Sequence, residues 1–311
     1  MTYDLAILGG GPAGVAAGVY AARKRLKTVF ITKDWNGQSS VSEGIENWIG
    51  EVKISGLDLS KKLEKHLKAY AGDIIDIKEG QLVAKVAKTT AGFMITTDKG
   101  QTYEAKTLLI TTGSSRRKLD VPGAEQYDNK GLTYCATCDG PLYDGQDVAV
   151  VGGGNAGFES AAQLAAYCRS VTLFSRSDFR ADPETVDKVS QNPKIKLVTF
   201  AVPKEVKGGK FVTSFVYTDT KKKADVELPV TGIFVEIGSI PNTGFLKDVV
   251  KLDQYNRVMI DHKNQRAQLV APGAGAWAAG DVTDGLYHQN NIAAGDAVKA
   301  LEDIYLHLHT K

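Results

Sequence analysis

Twice along this chain a short apolar run breaks into a glycine cluster and resumes as an alanine-rich stretch. Tyr3 to Leu8 is apolar, Gly9-Gly10-Gly11-Pro12-Ala13-Gly14 follows, small residues continue to Arg25, and Thr28 to Thr32 is β-branched and apolar again. That order predicts a strand, a tight turn, a helix and a second strand. The succession returns as Asp147 to Val151, Gly152-Gly153-Gly154-Asn155-Ala156-Gly157, an alanine-rich stretch to Cys168, and Val171 to Phe174. The two openings stand too far apart for a solenoid repeat and fit two domains of one kind.

Each opening leads into short alternating segments. Leu82 to Ala87 against Phe93 to Thr97, and Phe211 to Tyr217 before Thr231 to Ile237, predict small antiparallel meanders. Ala278-Ala279-Gly280-Asp281 closes a further apolar segment, after which Ala297, Leu301, Ile304 and Leu308 recur at helical spacing and predict a terminal helix. Lys221-Lys222-Lys223 falls between strand-like segments and reads as a solvated hairpin tip.

At 311 residues the chain has room for about two domains. With 43% hydrophobic and 24% charged residues it is neither a disordered nor a multi-span membrane sequence. Thirty-eight basic against 36 acidic residues leave a net charge of +2, too little to favour nucleic acid or an anionic membrane. The uncharged run from Leu5 to Ala22 is interrupted by glycines and Pro12, and Asp4 stands where a signal peptide carries positive charge, so a cytoplasmic location is expected. Three cysteines exclude a disulfide-stapled scaffold, and two of them form Cys135-Ala136-Thr137-Cys138, a spacing suited to redox chemistry in a reducing compartment. Glycine, with 32 residues, is the outlier.

The glycine clusters explain the excess. In G-x-G-x-x-G after a strand, the first glycine makes the turn, the second admits a pyrophosphate close to the backbone, and the third packs helix on strand. Gly9, Gly11 and Gly14 fit one copy, with Gly18 beyond it, and Gly152, Gly154 and Gly157 fit the other. An acid that would hold the 2′-hydroxyl of NADH is absent where the second unit's strand ends, at Phe174-Ser175-Arg176. Arg176 and Arg180 favour NADPH, solvated arginines being the plainer alternative. Two dinucleotide sites beside one dithiol form a two-electron relay. No second cysteine pair or histidine cluster completes a zinc site, so no metal is expected. Asp139 is placed to move a proton to and from a thiolate, or simply to occupy a helix start. Cys168, amid Leu164, Tyr167 and Val171, reads as a buried core thiol.

These residues resemble the low-molecular-weight thioredoxin reductase family, with the flavoprotein component of alkyl hydroperoxide reductase close to it. The shared motifs run in order: Gly9 to Gly14, Gln38 with Glu46-Asn47, Thr111-Thr112-Gly113, Cys135 to Gly140, Gly152 to Gly157, Ile237-Gly238 with Pro241-Asn242-Thr243, and Ala278 to Asp281. The resemblance implies an α/β protein of two Rossmann-like dinucleotide-binding domains of the three-layer ββα type, the second inserted in the first. Residues 1–116 and 245–311 would form the FAD domain, and 117–244 the pyridine-nucleotide domain carrying the dithiol. FAD would meet Gly9, Gly11, Pro12, Ala13, Gly14, Gln38, Asn47, Val86, Gly113, Gly280, Asp281, His288, Gln289 and Asn290. The nicotinamide nucleotide would meet Gly154, Asn155, Ala156, Gly157, Ser175, Arg176, Arg180 and Gly238.

By the same resemblance Cys138 meets the flavin, Cys135 attacks the disulfide of a thioredoxin-like partner, Asp139 handles the proton, and the inserted domain of a homodimer swings between two presentations. Met1 runs straight into the first strand, so the partner is expected to be a separate chain. The family's His-Arg-Arg signature appears here as Ser175-Arg176-Ser177, and its Arg-Gln-Ala beside the flavin as His288-Gln289-Asn290. NADH, a ferredoxin-type donor, a dithiol oxidase and a non-catalytic flavin redox sensor therefore stand as alternatives on these residues.

Overall fold

The computed structural model describes residues 2–42 and 44–310. The chain divides into two compact units, Met1–Ser115 with Ile240–Lys311, and Arg116–Ser239. Two short strands, Ser114–Arg116 and Ser239–Pro241, pair with each other where the chain passes from the first unit to the second and back.

In the first unit the strands Ala276–Ala278, Thr102–Ile110, Thr2–Leu8, Thr28–Thr32 and Ile75–Glu79 lie side by side and parallel. Their centre is apolar throughout because a parallel sheet is covered on both faces. Leu5 and Ile7 turn to one side with Val15, Val19, Phe30, Leu301 and Ile304, where the helices Pro12–Arg23, Gly56–Ala71 and Asn290–Thr310 pack. Ala6 and Leu8 turn to the other with Val29, Ile31, Phe93 and Ile95, beneath the antiparallel pair Val83–Lys88 and Phe93–Thr97. The terminal helix is the one its spacing predicts, and buried Trp277 ties the sheet to it by donating its indole N–H to Asp303 at 2.9 Å.

The second unit repeats the plan with five parallel strands in the order Ile195–Val198, Ser170–Phe174, Asp147–Val151, Gly232–Val235, Leu132–Thr133. Val148, Val150, Phe158, Leu164 and Cys168 fill its helix side. On the opposite face Val151, Phe174 and Phe215 pack under an antiparallel meander of Ala201–Gly208, Val212–Asp219 and Ala224–Pro229. Contrary to the alternation-based expectation, Gly232–Val235 does not belong to the meander: all four residues are buried, and the strand joins the parallel sheet. The lysines 221–223 form the hairpin tip, where the carboxylate of Asp219 accepts the backbone N–H groups of Lys221 and Lys222 at 3.0 Å. Among the described residues no helix is long and apolar enough to cross a membrane.

Candidate functional site

The two glycine turns have the same construction. Gly9 takes φ +114°, in the left-handed region, and Gly152 takes φ +151°. A Cβ on Gly9 would strike the carbonyl of Thr111, and one on Gly152 that of Glu236. Gly14 and Gly157 abut the carbonyl oxygens of Gly9 and Gly152 in turn, which brings each helix onto its strand with no room for a side chain. The middle glycines differ: a Cβ on Gly11 or Gly154 would meet nothing within 4 Å.

Gly11 and Gly154 are also the residues at which the helices Pro12–Arg23 and Asn155–Leu164 begin, and neither helix start is capped by a side chain. Each turn thus presents open space in front of first-turn N–H groups that no side chain caps, the arrangement that receives a pyrophosphate. Pro12 and Ala13 lie in the first turn of one helix, Asn155 and Ala156 in that of the other.

In the first unit, residues far apart in sequence converge beside the start of the terminal helix. Gln38 donates from Nε2 to Ser114 Oγ and to Asp281 Oδ2, both at 3.2 Å. The other oxygen of Asp281 lies 3.5 Å from His288 Nδ1, and His288 Nε2 is 2.9 Å from the carbonyl of Gly285. Only a protonated imidazole satisfies both acceptors, and Asp281 holds the His288 pKa above the ordinary histidine value. Asn47 donates to Gln289 at 3.2 Å, and Ser39 to Asn290 at 3.0 Å.

Gln38, Asn47, Asp281, His288, Gln289 and Asn290 are therefore brought together. Ser39, Ser114 and Asn291 join them unforeseen; Asn291, which donates to the Asn47 carbonyl at 2.7 Å, is signalled in the sequence only by its place next to Asn290. Gly113 and Gly280 adopt left-handed turns at φ +61° and +78°. Val86 stands apart from this group, its side chain buried in the apolar cluster with Phe93 and Ile95.

At the second turn, Asn155 and Asp182 exchange two hydrogen bonds of 2.7 and 2.8 Å, and the Arg180 backbone N–H donates to the Gly153 carbonyl at 2.8 Å. This folds the 176–182 loop over the glycines. Ser175 is buried against Gly153, whereas the side chains of Arg176 and Arg180 are exposed, and neither guanidinium has a side-chain partner among the described residues. Gly238, at φ +99°, holds the Arg117 backbone N–H on its carbonyl at 3.0 Å.

Cys135 and Cys138 form a disulfide at the start of a one-turn helix, Ala136–Asp139. The backbone N–H of Cys138 donates to Cys135 Sγ at 3.2 Å, a contact that favours thiolate on Cys135 once the bond is reduced. Burial lifts the Asp139 carboxyl above the usual aspartate range, and the hydroxyl of Thr133, which donates to Asp139 Oδ2, draws it partly back. Cys168 lies in the core, its thiol pushed up to about 11 by burial, and is inert by comparison.

Two glycine turns, each at the head of a parallel sheet, and a dithiol beside a half-buried acid define a dinucleotide-binding redox protein. The chain belongs to the pyridine nucleotide-disulphide oxidoreductase family, whose model matches residues 3–297. It is similar in structure to the thioredoxin reductase of Streptococcus pyogenes MGAS5005, with 31% identity, coverage of 100% of this chain and 99% of that one, and a TM-score of 0.87. The thioredoxin reductase of Giardia duodenalis matches at 30% identity, 98% and 99% coverage and a TM-score of 0.90.

In sequence the chain is 39% identical over 299 residues to the F subunit of alkyl hydroperoxide reductase from Staphylococcus aureus strain MRSA252, covering 96% of this chain and 57% of that protein. The chain thus spans somewhat more than half the length of the curated relatives it matches. The family and the thioredoxin reductase neighbours imply FAD and NADPH, and the open cradles at Gly11 and Gly154 suit two dinucleotides.

Proposed function

We propose that this protein is a disulfide reductase in which electrons pass from NADPH through FAD to the Cys135–Cys138 disulfide and on to a thioredoxin-like protein. The observation that carries this reading is the Cys135–Cys138 disulfide next to half-buried Asp139, in a unit that also holds an open nucleotide turn. The unit Met1–Ser115 with Ile240–Lys311 is assigned to FAD, through the first glycine turn and the Gln38–Asp281–His288 group with its neighbours Asn47, Gln289 and Asn290. The unit Arg116–Ser239 is assigned to NADPH and the dithiol. When bound, FAD would take two electrons from the nicotinamide and yield them to the disulfide.

The chain's own residues then do the exchange. Cys135, whose sulfur receives the Cys138 N–H, attacks the partner disulfide as thiolate. Cys138 closes on Cys135 to release the partner's second sulfur, and Asp139 accepts and returns the proton that each thiol must lose and each leaving thiolate must gain.

Arg176 and Arg180, exposed and without side-chain partners among the described residues, support NADPH over NADH by offering their guanidinium groups to a 2′-phosphate. Anaerobic titration followed at the flavin absorbance band is expected to show bleaching by stoichiometric NADPH; bleaching by neither nucleotide would remove the nicotinamide step. Replacing Arg176 and Arg180 with alanine should raise the KM for NADPH by about 10- to 100-fold, the worth of one or two charge-assisted hydrogen bonds. The KM for NADH should stay where it is.

A homodimer is the assembly we assign. Ile49 and Val52 are exposed near Leu286 and Tyr287, the two loops being joined through Asn47, Gln289 and Asn291. A second copy would cover that apolar surface. Sedimentation at the mass of one chain would sink this assignment. The reducing dithiol chemistry fits a cytoplasmic location.

A further inference from the structure

Thr133 is a buried residue two positions before the dithiol, and it has no role in the mechanism above. It stands on the strand Leu132–Thr133, whose parallel pairing with Ile233 and Phe234 makes it part of the sheet rather than of the loop that follows. Its single hydroxyl proton goes to Asp139 Oδ2, and its oxygen receives the backbone N–H of Cys135 at 3.4 Å. One side chain thus touches both the proton-handling acid and the backbone of the attacking cysteine.

We propose that Thr133 is a positioning residue for the exchange: from the sheet it holds one carboxylate oxygen of Asp139 and leaves the other to trade the proton with the Cys135–Cys138 thiols. This rests on the disulfide-reductase reading. The hydroxyl can donate only to an oxygen that carries no proton, so proton gain and loss are directed to Oδ1. A carboxyl free to rotate would divide its time between two orientations, one of them unproductive.

In the exchange, Asp139 takes the proton of one enzyme thiol, the thiolate forms a bond to a partner sulfur as the partner's S–S bond breaks, and Asp139 returns the proton to the leaving sulfur. The second enzyme thiol repeats the step on the mixed disulfide. The enzyme dithiol is oxidised to the disulfide, and the partner disulfide is reduced to a dithiol.

The charged and titratable groups facing Asp139 are few. Tyr143 senses the Asp139 charge, but its phenol is pushed up to about 12 mainly by burial and therefore stays neutral; the dithiol adjoins Asp139 in the chain, and no ion pair engages Asp139 among the described residues. Thr133 is thus the group that stabilises the carboxylate.

The test compares wild type, Thr133→Val, Thr133→Ser and Asp139→Asn as whole protein, pre-reduced with dithiothreitol and desalted anaerobically. One measurement is an infrared titration of the Asp139 carboxyl, with Asp139→Asn as the blank. The other is the pH profile of single-turnover exchange with 5,5′-dithiobis(2-nitrobenzoate). Removing the donor destabilises the carboxylate, so in Thr133→Val both the titration and the acidic limb of the profile should move up by about one pH unit, with up to about tenfold slower exchange below the new midpoint. Thr133→Ser should restore both.

An unshifted titration and profile in Thr133→Val, or a loss that serine does not rescue, overturns the proposal while leaving the reductase reading in place. Wild-type protein that exchanges no thiol with the probe overturns both.

Discussion

Cys135→Ser protein is expected to retain FAD and to bleach with NADPH as the wild type does, yet to reduce a thioredoxin-like protein at a rate lower by on the order of 10⁴-fold or more, the scale on which removing a nucleophile acts. The asymmetry of the dithiol is the reason. Cys135 Sγ is the sulfur that receives a backbone N–H, and it caps the short helix from outside, whereas Cys138 lies within that helix. Removing Cys135 deletes the attacking group and leaves Cys138 in place. A stopped-flow record of flavin reduction beside a coupled thioredoxin assay separates the two halves, and full turnover by Cys135→Ser would falsify the exchange role.

The second large effect separates two glycines of one turn. Gly14→Ala places a Cβ against the carbonyl oxygen of Gly9, backbone against backbone, with nothing able to move aside cheaply. Overpacking of this kind costs about 1–3 kcal/mol and at times more, a large share of the roughly 5–15 kcal/mol that holds a protein folded. This variant should unfold at a clearly lower urea concentration and carry no flavin. Gly11→Ala meets open space at φ −73°, an ordinary backbone angle, so its stability should stay within about 0.5 kcal/mol of wild type. It should nevertheless lose flavin, because the added methyl stands where the pyrophosphate would approach. Flavin-to-protein absorbance ratios and urea midpoints read both quantities; a Gly11→Ala protein with full flavin content would deny that the turn faces a phosphate.

Those two variants also indicate which parts of the molecule can be read from residues alone. The glycine turns are legible because their constraints are local: Gly9, Gly11 and Gly14 act on one another within a few residues, and the strand before and the helix after supply the context. The dithiol is legible for the same reason. Gln38 and Asp281 are far apart in sequence yet share a hydrogen bond, and only a folded sheet brings them into reach. Ser39, Ser114 and Asn291 carry no pattern of their own and enter through that convergence.

A short apolar strand such as Gly232–Val235 looks alike in a meander and in a parallel sheet; its burial on both faces, which decides between them, is a property of its neighbours. Thr133 is silent in the same way, since nothing in a lone threonine announces that its hydroxyl lies against an acid six residues later.

The nesting of one unit in the other sets an order of events on the ribosome. Arg116–Ser239 has all of its sheet once Ser239 has been made, so it can fold while the remaining residues are still being added. The first unit cannot do so: until Ala276–Ala278 is synthesised, the strand Thr102–Ile110 lacks its parallel neighbour on that side, and the helix that covers Leu5, Ile7 and Phe30 comes later still. Asp281, His288, Gln289 and Asn290 arrive with that same last stretch. A nascent chain therefore owns a finished dithiol unit well before it owns the last strand and helix of the first unit, to which we assign FAD.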